Sequence, residues 1–471
     1  MAGLVTKHND PNASLGWGER IGYGTGGFAF NMINGIIGSF LTIYFTSAVG
    51  LNSGIVSTIF AVSKVFDGIS DLIVGRLVDK TKSEFGKGRT WLMRMCIPFA
   101  ITTILLFYVP ANIPSMAQYV YVFLMYNIVN AVCLTGMLVP YYSMVSLVTA
   151  NPYERGLLGN IQQIFQTLGN VVINSTFITL LGKFTSSTET LYTQRAFTIS
   201  MIIYCGIMVI VSLFCVFSTK ERVRDTETPK TETKTEKKKD ENVMVTVKAL
   251  LSNKYWLLLT LGNFIVFFII IFYSMGTVFY CQYVLYDMTK YSLLSNAISI
   301  SQFAIMFVTP LFMKKFGKEK VYTIGMLVTT SGFVLSGLAG GNATVMIISN
   351  VLKGCGVGMA GGMALGMVAD TVTYGKLKTG VDTVGMGNAG ISAAQKIGLG
   401  LGQAVFGWVL AAAGMDGALD AQGIAQPESV SIAINIMYGW MPAVMAGIIF
   451  VLFFLFYRCE RDMEKLQKAQ S

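Results

Sequence analysis

Asp67 and Asp71 stand four residues apart in AVSKVFDGISDLIVGRLVDK, a stretch otherwise apolar enough to cross a bilayer. A carboxylate in hydrocarbon is costly, so it normally faces a protein interior or a water-filled path and serves a function. On a helix this spacing puts both acids on one face, and Lys64, three residues before Asp67, joins them there. Two acids and a base at membrane depth form a compact constellation suited to holding a small cation or a proton.

The elements that position them are predicted to be membrane helices. Hydrophobic residues make up 53% of the chain and charged residues 13%, with a mean hydropathy of +0.58, far from the charged fraction of soluble domains. The apolar residues come in runs of about twenty, the length that spans a hydrocarbon core as a helix. Twelve such runs fall near 22–48, 54–79, 92–111, 116–148, 157–182, 196–218, 256–285, 291–313, 321–340, 343–372, 386–413 and 430–457. The fourth and tenth are long enough to imply tilt or an extension past the membrane. Barrel strands would alternate over about ten residues, and these runs do not. The expected fold class is an all-α membrane protein of twelve transmembrane helices.

Basic residues set the orientation. DKTKSEFGKGRTW between the second and third runs carries Lys80, Lys82, Lys87 and Arg89, KKFGKEK carries Lys314, Lys315, Lys318 and Lys320, and the tail carries Arg458, Arg461, Lys465 and Lys468. The alternate loops VGLNSG, VPANIPSM, AGGNA and MDGALDAQGIAQPES hold no Lys or Arg. Positive loops stay in the cytoplasm, so both termini are expected inside a multi-pass cell-membrane protein. The net charge of +10 is thereby explained by topology, and nucleic acid is not an expected partner. The first twenty residues are polar, which argues against a cleavable signal peptide. They hold the only histidine, His8, which excludes a Ser-His-Asp triad and a histidine relay. Cys96, Cys133, Cys205, Cys215, Cys281, Cys355 and Cys459 lack paired spacing and read as small buried hydrophobes. No enzyme chemistry and no cofactor is expected.

The chain divides in the middle. STKERVRDTETPKTETKTEKKKDENV has no large apolar residue before Val243 apart from Val223 and reads as a flexible cytoplasmic linker. The expected organisation is a cytoplasmic segment 1–21, a six-helix bundle 22–218, the linker 219–245, a second bundle 246–457 and a cytoplasmic tail 458–471. Two six-span halves related by pseudo-two-fold symmetry are the plan of the major facilitator superfamily, in which the substrate sits between halves that rock around it. KGCGVGMAGGMALG in the tenth run and GNAGISAAQKIGLGLGQ in the eleventh supply small residues for close helix packing.

Within that plan the motifs are specific. GYGTGGF, KVFDGISDLIVGRLVDKTKSEFGKGRTW, VPYYS, VADTVTYGKLKTG and AAQKIG together resemble the glycoside–pentoside–hexuronide:cation symporters, the melibiose-permease-like family, over essentially the whole chain. The resemblance implies that Asp67 and Asp71 hold the coupling cation, H+ or Na+. A side-chain amide between them in the family falls at Ser70, and a hydroxyl from the fourth span matches Thr135. An all-oxygen set suits a hard cation or a proton. The shorter Ser70 tilts the expectation slightly toward the proton. Lys396 matches a lysine near these acids, and with Lys64 it is expected as a charge partner. Asp370 matches an acid near the inner gate and is expected to act in gating or structure rather than in substrate binding.

The chain departs from its relatives where sugar is recognised. Two acids and an arginine of the melibiose-type site are replaced by Asn31, Leu138 and Gln163, and Tyr142 falls at an aromatic position suited to stacking on a pyranose. Lys353, in NVLKGCG, is an extra base that can meet an anionic substrate, reach out from a helix end, or pair with Asp67 or Asp71. The leading function is cation-coupled symport of a small polar solute, a glycoside, glucuronide or related sugar, by alternating access and as a monomer. The alternative is transport of an amphipathic, lipid-like or organic-anion solute, favoured by the apolar Leu138.

Overall fold

The computed structural model describes residues 14–81, 83–149, 151–185, 193–222, 243–381, 383–421 and 424–470. His8, Lys82 and linker residues 223–242 lie outside them. The described residues are helical apart from short connections, and pack as two units drawn from Met1–Thr231 with Met415–Gln426 and from Glu232–Gly414 with Pro427–Ser471.

The first unit contains helix one (Trp17–Ile43, prolonged by the π-helical Tyr44–Ala48), helix two (Ser53–Lys80) and helix three (Lys87–Leu106). Helix four runs as Ser115–Asn127, π-helical Ile128–Leu134 and Thr135–Val148, and is followed by helix five (Pro152–Phe184) and helix six (Gln194–Ser218). The second unit contains helix seven (Lys254–Tyr283), eight (Tyr291–Phe316), nine (Lys318–Leu338), ten (Ala343–Thr379) and eleven (Val384–Ala412). Helix twelve runs as Glu428–Asn435, π-helical Ile436–Trp440 and Met441–Phe456, and a tail helix, Cys459–Gln470, closes the chain.

Ten of these helices meet the length and hydropathy of a membrane span. The other two, helix two and helix eleven, are 28 and 29 residues long; the one is charge-bearing and the other glycine-rich. The described residues 415–421 and 424–426, between helices eleven and twelve, belong to the first unit. All seven cysteines are unpaired, and six are buried.

Helix starts follow their capping chemistry. Asn52 accepts from the backbone amides of Gly54 (2.9 Å) and Ile55 (3.2 Å), and Asn342 does the same for Thr344 (3.0 Å) and Val345 (3.3 Å). Helix three starts five residues before its apolar run and ends at Leu106, ahead of Pro110. Its early start has an external cause: the Glu221 carboxylate, beyond helix six, accepts from the Lys87 and Arg89 amides at 2.8 Å each. Burial raises the Glu221 carboxyl above its ordinary range, against the pull of those amides. Gly86, at φ 108°, leaves room for it, since a methyl there would overlap that carboxylate.

The glycine runs pack helices closely. On helix ten a methyl at Gly354 would overlap Ser301 and the Ile298 carbonyl of helix eight, and one at Gly356 would overlap Thr329 and the Gly325 carbonyl of helix nine. Gly398 of helix eleven lies as tightly on the Phe264 carbonyl of helix seven.

Candidate functional site

In the first unit, helix two and helix four bring five expected residues together. Lys64 Nζ donates to Asp67 Oδ2 at 2.8 Å, and the two side chains are 23% and 14% exposed. Among the described residues, Asp67 Oδ1 is buried and has no hydrogen-bond partner. One turn on, Ser70 Oγ donates to the Asp67 backbone carbonyl (2.9 Å) and lies 3.4 Å from Thr135 Oγ1. Thr135 Oγ1 in turn lies 3.2 Å from Asp71 Oδ1 and 3.1 Å from the Asn130 carbonyl. One continuous polar chain therefore links both acids, both hydroxyls and Lys64.

The Thr135 backbone amide donates to the same Asn130 carbonyl, five residues back, the bond that closes the π-helical turn Ile128–Leu134. Such a turn inserts one extra residue per bulge and re-aims the side chains after it, a device common at functional sites. Here it gives the Thr135 proton an alternative acceptor. With that proton on the Asn130 carbonyl, the hydroxyl lone pairs are left for a cation beside Asp71. Sequence reasoning did not single out Asn130, Tyr126 or Asn127. The Tyr126 ring lies 5.9 Å from Lys64 Nζ, and Asn127 Nδ2 donates to Ser63 Oγ at 2.8 Å. Two asparagines in the otherwise apolar YNIVN are the signal that pointed there.

A second cluster joins helices one, four and five. Asn31 Nδ2 donates to the Gln166 carbonyl at 2.6 Å, and Tyr142 meets the Gln166 side chain. Tyr142 is 48% exposed, and its neighbour Tyr141 is buried and stacked on Tyr23 at 4.7 Å between ring centroids. Tyr23 Oη also donates to Gln162 Oε1 at 3.0 Å. The organising residue is thus Gln166, which was not among the expected ones. Leu138 is half-buried one turn beyond Thr135, while Gln163 is exposed on helix five.

The remaining expected residues belong to the second unit. Asp370 pairs with Lys318 at 2.5 Å, and Lys318 reaches Glu460 of the tail helix at 3.9 Å, so helices nine and ten and the tail are tied at one end. Lys396 is half-buried on helix eleven. Lys353 does not reach out from a helix end: it is 0% exposed, and its Nζ donates to Asn350 Oδ1 at 3.1 Å. It lies over the rings of Tyr438 (4.1 Å) and Phe333 (4.8 Å). A solute cannot touch it in this conformation. The expectation of a substrate contact at Lys353 is therefore not supported by its surroundings.

The model of the MFS/sugar transport protein family matches residues 22–461. An isoprimeverose transporter of Lactiplantibacillus pentosus is 29% identical over 96% of this chain and 90% of its own. A glucuronide carrier protein homolog of Escherichia coli (strain K12) is 25% identical over 97% of this chain and 95% of its own. Among solved structures, a D-xylose-proton symporter superposes with a TM-score of 0.63 at 15% identity, covering 94% of this chain and 97% of that one.

Proposed function

Because the chain belongs to the MFS/sugar transport protein family, we propose that it is a secondary active transporter coupling the movement of a small polar solute, a glycoside or related sugar, to that of H+ or Na+. The observation that carries this reading is the acid pair: Thr135 reaches the Asp71 carboxylate and, through Ser70, the Asp67 backbone carbonyl, while among the described residues Asp67 Oδ1 is buried and unpartnered. An unpartnered buried carboxylate oxygen costs about 1–3 kcal/mol or more, a cost that an arriving cation removes. In the empty state the Lys64 ammonium offsets the charge of Asp67. The entering ion competes with that ammonium for the carboxylate, so loading exchanges one positive partner for another. The bundle's polar interior is not left charged and bare.

Asn31 and Tyr142, joined at Gln166, with Leu138 and Gln163, supply the solute contacts in this reading. Lys396 serves as a further charge partner, and the Asp370–Lys318–Glu460 tie as a gate that breaks and reforms. Both termini lie in the cytoplasm, and the protein works as a single copy in the cell membrane. The bundles extend over 22–218 and 246–457, joined by a linker over 219–245.

Uptake into vesicles tests the reading with a panel of glycosides, glucuronides and organic acids at varied Na+ and pH. Concentrative uptake of a neutral glycoside that depends on one of the two cations is expected. Uptake confined to organic anions, or indifferent to both cations, overturns it.

A further inference from the structure

Lys353 is a fully buried base whose surroundings the acid pair does not explain. From its own helix it is met by Asn350, whose amide is oriented by donation from Nδ2 to the Leu294 carbonyl of helix eight at 2.9 Å, so that Oδ1 faces the amine. From helix nine it is met by Phe333, and Gly332 makes room, since a methyl there would lie 2.9 Å from Lys353 Cγ. From the π-helical turn of helix twelve it is met by Tyr438, whose hydroxyl lies 3.0 Å from Thr277 Oγ1 of helix seven. The titratable group that faces it is the phenol of Tyr438; behind that ring lie Tyr280, tilted against it at 5.1 Å, and Cys281, while Cys355, two residues along the same helix, lies on another face. Among the described residues no carboxylate or other charged group acts on it.

An enclosed ammonium with one neutral acceptor and no counter-charge is unfavourable, a cost that the two ring faces offset only in part, whereas the free amine fits the same cage without it. We propose that Lys353 is a proton-carrying site of the C-terminal bundle: it takes a proton from water when helix motion opens the cage and returns it to water when the cage closes. The balance is one proton moving between solvent and one amine, with no other group changed. The π-helical turn at Ile436–Trp440 supplies the moving part, because its slip or relaxation swings the Tyr438 ring off Nζ. This inference rests on the reading of the chain as a cation-coupled transporter and adds a second proton-linked step, separate from Asp67 and Asp71.

The test compares wild type, Lys353→Met, Lys353→Arg and Tyr438→Phe in proteoliposomes between pH 5.5 and 9. Wild type is expected to show a limb approaching a tenfold change in rate per pH unit, the slope of a single titrating group. Lys353→Met should transport with that limb flattened, and Lys353→Arg, which cannot release its proton, should be inactive. Tyr438→Phe, which keeps the ring and loses the hydroxyl, should move the midpoint of the limb. A Lys353→Met profile parallel to wild type overturns the proposal, as does a uniform loss at every pH. A second readout needs no solute: titration of tryptophan fluorescence in the purified proteins, Trp440 standing two residues from Tyr438. A transition in wild type and Tyr438→Phe that Lys353→Met and Lys353→Arg lack supports the site, and identical curves reject it. Failure of wild type to carry any panel solute, with that transition intact, rejects the transport reading and leaves the proton site standing.

Discussion

Removing the Thr135 hydroxyl while keeping its shape is the cleanest probe of the acid site. In Thr135→Val the β-branch and its packing on helix two are retained, and the lost atom is the one 3.2 Å from Asp71 Oδ1 and 3.4 Å from Ser70 Oγ. A hydrogen bond to a charged group contributes about 1.5–3 kcal/mol, and a distance at the long end of the range favours the lower figure. A loss of about 1.5 kcal/mol corresponds to roughly tenfold in affinity. The concentration of coupling ion that half-saturates uptake should therefore rise about tenfold, with the maximal rate largely kept. Thr135→Ser retains the hydroxyl and should stay near wild type. The assay is initial solute uptake titrated with Na+ at fixed pH, and with pH at fixed Na+. Unchanged half-saturation in Thr135→Val, or an equal loss in Thr135→Ser, would refute the role given to this oxygen.

The geometry gives two further expected outcomes. Asn31→Ala and Gln163→Ala should each weaken solute binding by about 1–3 kcal/mol; unchanged affinity in both, measured by isothermal titration, moves the solute site elsewhere. Gly356→Ala presses a methyl into Thr329 and the Gly325 carbonyl and should destabilise the purified protein by about 1–3 kcal/mol, seen as a lower melting temperature. Gly361→Ala on the same helix meets nothing within 4 Å and should not.

Much of this was legible in the residues themselves. Hydrophobic run length fixes the helices within a few residues, and the spacing of Lys64, Asp67 and Asp71 fixes their shared face before any tertiary contact is known. Helix three was displaced because its start depends on Glu221, more than 130 residues away in sequence, and no local signal carries that. The π-helical turn that gives Thr135 a second acceptor at Asn130 is equally silent, since periodicity reports the average helix and not one inserted residue. Lys353 kept three readings because its environment is decided by absence and shape: a missing side chain at Gly332 and two rings from other helices. The cluster of helices one, four and five was reached through Asn31 and Tyr142, while its centre, Gln166, looked like one glutamine among several.

The central claim is that Asp67 and Asp71 bind the ion that drives accumulation. The most direct measurement sets concentrative uptake beside solute counterflow in Asp67→Asn and Asp71→Asn. An amide cannot balance a bound cation, whereas the helices still move, so accumulation should vanish in both mutants while counterflow persists. Accumulation at wild-type levels in both would contradict the assignment.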